Sequence, residues 1–265
     1  MDLRLAGKRV LVTGASEGMG RATALGLAAE GVHLGIAART RANLEIVAEA
    51  ARSAGAAAVE VFDADLTDPA SAEQVVNGFA AAAGGLDGLV NTVGLCEVEP
   101  EGILAHDDGF WDRAYQSVLM ANVRTCRLAV PILLAGGGGA IVNTTAMSSK
   151  HYLPMMSHYS AMKVALGHFT KNLAREFGGR GIRANAVLPG MIESEGVAAR
   201  KAAKVAETGW SDEEFFQYVN EKYEHCTWGS RLGQPEEIAD AIVWLVSERA
   251  SYVNGVWLNV DGGST

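Results

Sequence analysis

Short apolar runs and amphipathic stretches alternate along nearly the whole chain. Arg9–Val12, Val32–Ala38, Ala58–Phe62, Gly88–Asn91, Ala140–Thr144, Ile182–Val187 and Val256–Val260 are compact and apolar, with polar, glycine or proline positions around them, and each predicts a strand. Between them, Gly20–Glu30, Arg41–Ser53, Ala70–Ala83, Asp112–Leu134, Ser157–Phe177 and Pro235–Ser247 read as helices. In the second of these, Leu44, Val47 and Ala51 fall on one face. Gly136–Gly139 breaks the fourth, Gly178-Gly179 ends the fifth, and Pro235 opens the last. Near-continuous apolar strands separated by helices argue for a parallel sheet covered on both faces. One segment, about 193–230, departs from this rhythm and reads as an inserted helical lid, with helices near Gly196–Glu207 and Ser211–His225.

Composition adds limits rather than a function. The 265 residues suit a single domain, spanning 1–265, with 49% hydrophobic and 20% charged residues. A net charge of -9 argues against nucleic acid or an anionic membrane as the main partner. Cys96, Cys126 and Cys226 are far apart and form neither a disulfide framework nor a zinc pattern, so no metal is expected. The chain starts without the apolar stretch of a signal peptide and holds no uninterrupted apolar run of bilayer length, so a cytoplasmic location is expected.

Chemistry enters at Thr13-Gly14-Ala15-Ser16-Glu17-Gly18-Met19-Gly20, between the first strand and the first helix. There Gly14 permits a tight turn, Gly18 lets backbone approach a pyrophosphate, and Gly20 lets helix pack on strand. Ser16, Glu17 and Met19 fall on the same turn. The second strand ends in Ala38-Arg39-Thr40-Arg41, with no acid to accept from ribose hydroxyls. Arg39, supported by Arg41, is therefore the candidate ligand for a 2'-phosphate, and NADP(H) the expected cofactor. The alternative is a solvated basic start to the second helix. Asp65, followed by Leu66, would either bond the adenine amine or cap a nearby turn.

Tyr159-Ser160-Ala161-Met162-Lys163 places a phenol and an ammonium one helical turn apart, after a strand and before Pro189-Gly190-Met191-Ile192-Glu193-Ser194. With the glycine turn, Asn91-Thr92-Val93-Gly94 and the ending Val260-Asp261-Gly262-Gly263, the chain resembles the short-chain dehydrogenase/reductase family, of the NADP-preferring 3-oxoacyl-reductase type. The resemblance covers nearly the whole chain. It implies a doubly wound Rossmann α/β domain with a seven-stranded, mostly parallel sheet, and hydride exchange between a nicotinamide and a carbonyl or secondary alcohol. It also implies that Tyr159 supplies the proton, that Lys163 lowers its pKa and bonds the nicotinamide ribose, and that Asn91 and Gly94 line the cofactor trough. Pro189, Gly190 and Ile192 would border the same trough. Ser194 stands where the family places a Thr on the carboxamide. The two long helices resemble those forming a four-helix interface, so a homotetramer or homodimer is implied.

Two positions depart from the family pattern. The usual catalytic Ser, thirteen positions before Tyr159, is Ala146. Three readings stand: an engineered Ser-to-Ala change, a natural enzyme in which Thr145 or Ser148 supplies the hydroxyl, or a cofactor-binding protein with little activity. The last is the competing class, a non-catalytic NADP sensor; intact Tyr159 and Lys163 oppose it. The family's helical Asn falls at Val118, with Asn122 one turn away.

The lid segment concentrates Trp210, Phe215, Phe216, Tyr218, Tyr223, His225 and Trp228. Phe215, Phe216 and Trp228 either cover an apolar or ring-bearing substrate or glue the lid to the body. His151, Tyr152, Met155 and Met156 are the candidates for the opposite wall, and Met147 and Ser148 are further candidates for substrate contact.

Overall fold

A computed structural model of the protein describes residues 2–99, 101–223 and 231–264. Seven strands form one sheet: β1 (Arg9–Thr13), β2 (His33–Ala38), β3 (Ala58–Asp63), β4 (Gly88–Asn91), β5 (Gly139–Thr144), β6 (Ile182–Pro189) and β7 (Trp257–Val260). Their order is β3-β2-β1-β4-β5-β6-β7. The sheet expected to be mostly parallel is parallel at every ladder.

Helices α1 (Gly18–Ala29), α2 (Arg41–Ala54) and α3 (Pro69–Ala83) join the first four strands. Asp68 caps α3 by accepting from Ala70 and Ser71, and Pro69 follows at a position where a missing N–H costs nothing. The helix expected over Asp112–Leu134 starts earlier. It runs as α4 (Asp108–Ala114), a π-helical turn (Tyr115–Met120) and α5 (Ala121–Ala135). By length and composition alone this 28-residue stretch could cross a membrane, with a mean hydropathy of 1.5. Here its Cys126, Ala129 and Leu133 pack against the sheet. Then come α6 (Ser157–Phe177), the lid helices α7 (Glu195–Thr208) and α8 (Asp212–Tyr223), and α9 (Pro235–Val246).

Two apolar cores follow from this winding. Residues of α1, α2 and α9 pack on one face of the sheet, and residues of α3, α5 and α6 on the other. The direction of winding reverses between β1 and β4, so the loops leaving these strands diverge and open a crevice at their carboxyl ends. At that end the core is polar. Thr13, Asn91 and Asn143 lie in register on β1, β4 and β5. Asn91 Oδ1 accepts from Thr13 Oγ1 and Thr125 Oγ1, each at 2.9 Å. Asn91 Nδ2 donates to Asn143 Oδ1 at 2.9 Å, and Asn143 Nδ2 to Thr170 Oγ1 at 2.8 Å. All five side chains are fully buried, and the bonds offset the desolvation that burial imposes.

Candidate active site

The crevice is a trough of about 430 Å³ that runs from the glycine turn past the ends of β2 and β3 to the loop after β4. Gly14, Ser16, Glu17, Gly18, Met19 and Gly20 line one end. Gly14 and Gly18 have φ of 74° and 52°, where a side chain is strained. A Cβ on Gly20 would stand 2.1 Å from Gly14 O, so only glycine lets α1 start this close to β1. The cradle fits a dinucleotide: exposed backbone at a helix N-terminus, with no side chain capping it from Glu17.

Arg39 lines the trough and is exposed, and no partner is seen for its guanidinium among the described residues. Arg41 is engaged: it donates to Asp63 at 2.9 Å and pairs with Glu45 at 2.9 Å. Of the two arginines, the structure leaves Arg39 for a ligand, and the supporting role expected of Arg41 is already committed. Asp65 and Leu66 also line the trough, but Asp65 Oδ1 accepts from both Thr67 N and Thr67 Oγ1, so this oxygen serves the turn.

Asn91 is a correction. It is fully buried and its amide is spent on the polar core, so its side chain does not reach the trough. Thr92, Val93 and Gly94 line the trough instead. Ser194 lines it from the far side, whereas Gly190 packs its backbone on Asp261, Ile192 turns into the apolar core, and Pro189 lies buried at the end of β6. These three shape the loop that presents Ser194.

Tyr159 and Lys163 stand on α6, with Lys163 behind the trough-lining Gly94. A Cβ on Gly94 would lie 3.0 Å from Lys163 Nζ. Nζ lies 5.5 Å from the Tyr159 ring centroid and donates to Thr144 O at 2.7 Å. Burial pulls the Lys163 ammonium down to about 8. The phenol of Tyr159 is raised, chiefly by burial and then by the nearby Cys96 thiol. The Lys163 ammonium is engaged by a backbone carbonyl, and for Tyr159 desolvation is the largest effect.

Ala146 precedes a short turn, Met147–Ser149. The Thr145 hydroxyl donates to Val187 O at 3.1 Å and is committed to the sheet. Ser148 is 5% exposed and its buried Oγ meets no partner among the described residues. Met147 is buried beside it. Tyr152 is 92% exposed, so it forms no wall. Asn122 Nδ2 donates to Val118 O at 2.7 Å and to Val93 O at 3.2 Å. The π turn, which carries Val118, breaks the regular hydrogen-bond spacing of the helix, and Asn122 ties its carbonyl to the trough loop. It positions rather than faces a substrate. The sequence held no signal for this, because a π turn has no composition of its own.

Phe215 and Phe216 are 6% and 8% exposed and pack with Val219 and Leu232, against Met191, Val197 and Tyr218. This packing fits the reading in which they glue the lid to the body. Trp228 lies outside the described residues. Lys201 binds the lid to itself and to the body, pairing with Glu193 and Asp212 at 3.0 Å each.

Comparison with known proteins accords with this geometry. Residues 14–265 match the family described as Enoyl-(Acyl carrier protein) reductase. L-Xylulose reductase of Mesocricetus auratus is 32% identical over 99% of this chain and 98% of its own. The 3-oxoacyl-acyl-carrier-protein reductase of Thermotoga maritima is 31% identical over 98% of this chain and 99% of its own. The crystal structure of L-sorbose reductase from Gluconobacter frateurii, complexed with NADPH and L-sorbose, superposes with a TM-score of 0.93 at 33% identity, covering 100% of this chain and 98% of that one. The chain belongs to the short-chain dehydrogenase/reductase family, whose members among these relatives are oxidoreductases.

Proposed function

We propose that this protein is an NADP(H)-dependent oxidoreductase that interconverts a carbonyl and a secondary alcohol. The observation that carries the reading is one trough lined by Arg39, unpaired among the described residues, and by Gly94, behind which the buried Lys163 stands with Tyr159 on the same helix. The nicotinamide, when bound, supplies or accepts the hydride. Tyr159 gives the proton to the carbonyl oxygen in reduction and takes it back in oxidation. Lys163 is charged below about pH 8, and its cation favours the phenolate that remains after proton transfer. Its bond to Thr144 O holds the ammonium against β5.

The second donor to the carbonyl oxygen, absent at Ala146, comes from Ser148. Its hydroxyl is buried and unpartnered among the described residues, whereas that of Thr145 is not free. This favours a working enzyme over a sensor. Relatives named for L-xylulose, D-threitol and L-sorbose make small ketoses and polyols the first substrates to test.

The test combines binding and turnover. NADPH should bind the protein roughly ten- to a hundredfold more tightly than NADH, and Arg39→Ala should erase the difference, because a charge-assisted phosphate contact is worth about 1.5–3 kcal/mol. Turnover of a ketose should vanish in Tyr159→Phe. Equal affinities for the two cofactors would remove the NADP assignment. Absence of turnover across a panel of ketones and alcohols would favour the sensor.

A further inference from the structure

The glycine turn already holds an anion supplied by the chain itself. Gly18 N donates to Glu195 Oε2 at 2.7 Å, and Arg21 Nη1 lies 3.5 Å from Glu195 Oε1. Both contacts lie at the first turn of α1, where unsatisfied N–H groups and the helix dipole attract negative charge. Neither Glu17 nor an acid within that turn supplies it locally. Glu195 is the first residue of α7, and its neighbour Ser194 lines the trough beside Gly18.

We propose that Glu195 is an internal competitor for the diphosphate of the dinucleotide, and that cofactor entry unlatches the start of lid helix α7. This rests on the reading that a diphosphate seats on the glycine turn. Two anions on one N–H cradle repel, so Glu195 has to leave for the cofactor to settle. The rest of α7 is held lightly. It buries no residue fully, and among the described residues its other side-chain ties include the Lys201 pairs, the Val197 edge of the lid cluster and Lys204 over the Trp210 and Tyr218 rings. The carboxylate therefore links the cofactor end of the trough to the lid, and sets how readily cofactor enters and leaves.

Glu195→Gln keeps the size and removes the charge. The side chain is half exposed, so the variant should fold as the parent does. NADPH should bind it roughly five- to thirtyfold more tightly, the value of one anion at a partly exposed helix N-terminus with its cation. Adenosine 2'-phosphate, which can reach Arg39 but has no diphosphate, should bind both proteins equally. Without cofactor, amide exchange at Gly196, Val197 and Ala198 should be faster in the variant. Glu195→Ala should shift both readouts the same way.

If Glu195→Gln binds NADPH as the parent does, or more weakly, while Gly20→Val abolishes binding, the latch is wrong and the glycine-turn reading stands. If Gly20→Val binds NADPH normally, both are wrong. A gain that appears equally with adenosine 2'-phosphate would reduce Glu195 to a general surface charge and overturn the latch.

Discussion

Replacing Lys163 with methionine should make the cofactor-free protein more stable at neutral pH while removing its activity. The ammonium is 2% exposed, and burial lowers it from the usual 10.5 to about 8. At about 1.36 kcal/mol per pH unit, that difference corresponds to a penalty on the folded state of about 3 kcal/mol. The direction follows from proton counting. Between pH 8 and 10.5 the unfolded chain binds the lysine proton more tightly than the folded one, so stability rises with pH there. Below about 8 both states are protonated and the whole penalty is present. The methionine side chain would carry none of it but would leave Thr144 O without its donor, a loss of about 1–3 kcal/mol. The net gain at pH 7 is therefore about 0–2 kcal/mol. The pH dependence is the cleaner quantity, because the lost hydrogen bond contributes equally at every pH where Lys163 would be charged. Urea unfolding of both proteins from pH 7 to 10.5 reads it. The advantage of the variant should fall by about 3 kcal/mol across that range. An advantage that stays constant would show that burial does not depress Lys163, and that the Thr144 contact stabilises the charged form.

Other changes separate the site from its scaffold. Asn91→Leu should cost about 2–4 kcal/mol of stability by stranding Asn143 and two hydroxyls, and leave NADPH affinity within about threefold in the folded fraction; weakened cofactor binding at unchanged stability would place Asn91 back in the trough. Phe216→Ala should loosen the lid by about 3–5 kcal/mol, seen as faster proteolysis between α7 and α8, with the KM for substrate little altered; a large KM effect with an unchanged cleavage rate would restore its substrate role. Ser148→Ala should lower kcat about a hundred- to a thousandfold, and Ala146→Ser should recover most of it in that background. A fully active Ser148→Ala would mean that Tyr159 polarises the substrate without a second hydroxyl.

Alternating apolar runs and helical stretches were enough to place the strands and the main helices to within a few residues, because the central strands are buried on both faces and the helices that cover the sheet on one. That the glycine turn sits between strand and helix and that Tyr159 and Lys163 share one helix was equally readable, since each depends on local chemistry within a turn or one helical face. What escaped depends on contacts between distant segments. Nothing near Asn91 says whether its amide faces cofactor or core; that is decided by Asn143, 52 positions away. The aromatics of the lid show apolar character but not its direction, and Val219 and Leu232 claim Phe215 and Phe216. Glu195 reads as an ordinary acidic first residue of a helix until Gly18, 177 positions earlier, is set against it.

The row of amides and hydroxyls from Thr13 through Asn91 and Asn143 to Thr170 works like a key cut for one lock. Apolar strands of Val, Ile and Leu tolerate sliding, since one branched side chain fills a neighbour's place well enough. An amide does not: shifting β4 by one residue against β1 or β5 would leave several buried dipoles facing hydrocarbon. The row sits one residue below the loops that carry the trough. Those loops can therefore be cut and exchanged among related proteins while the strands beneath them stay in step, and grafting should succeed only where the recipient carries the same row.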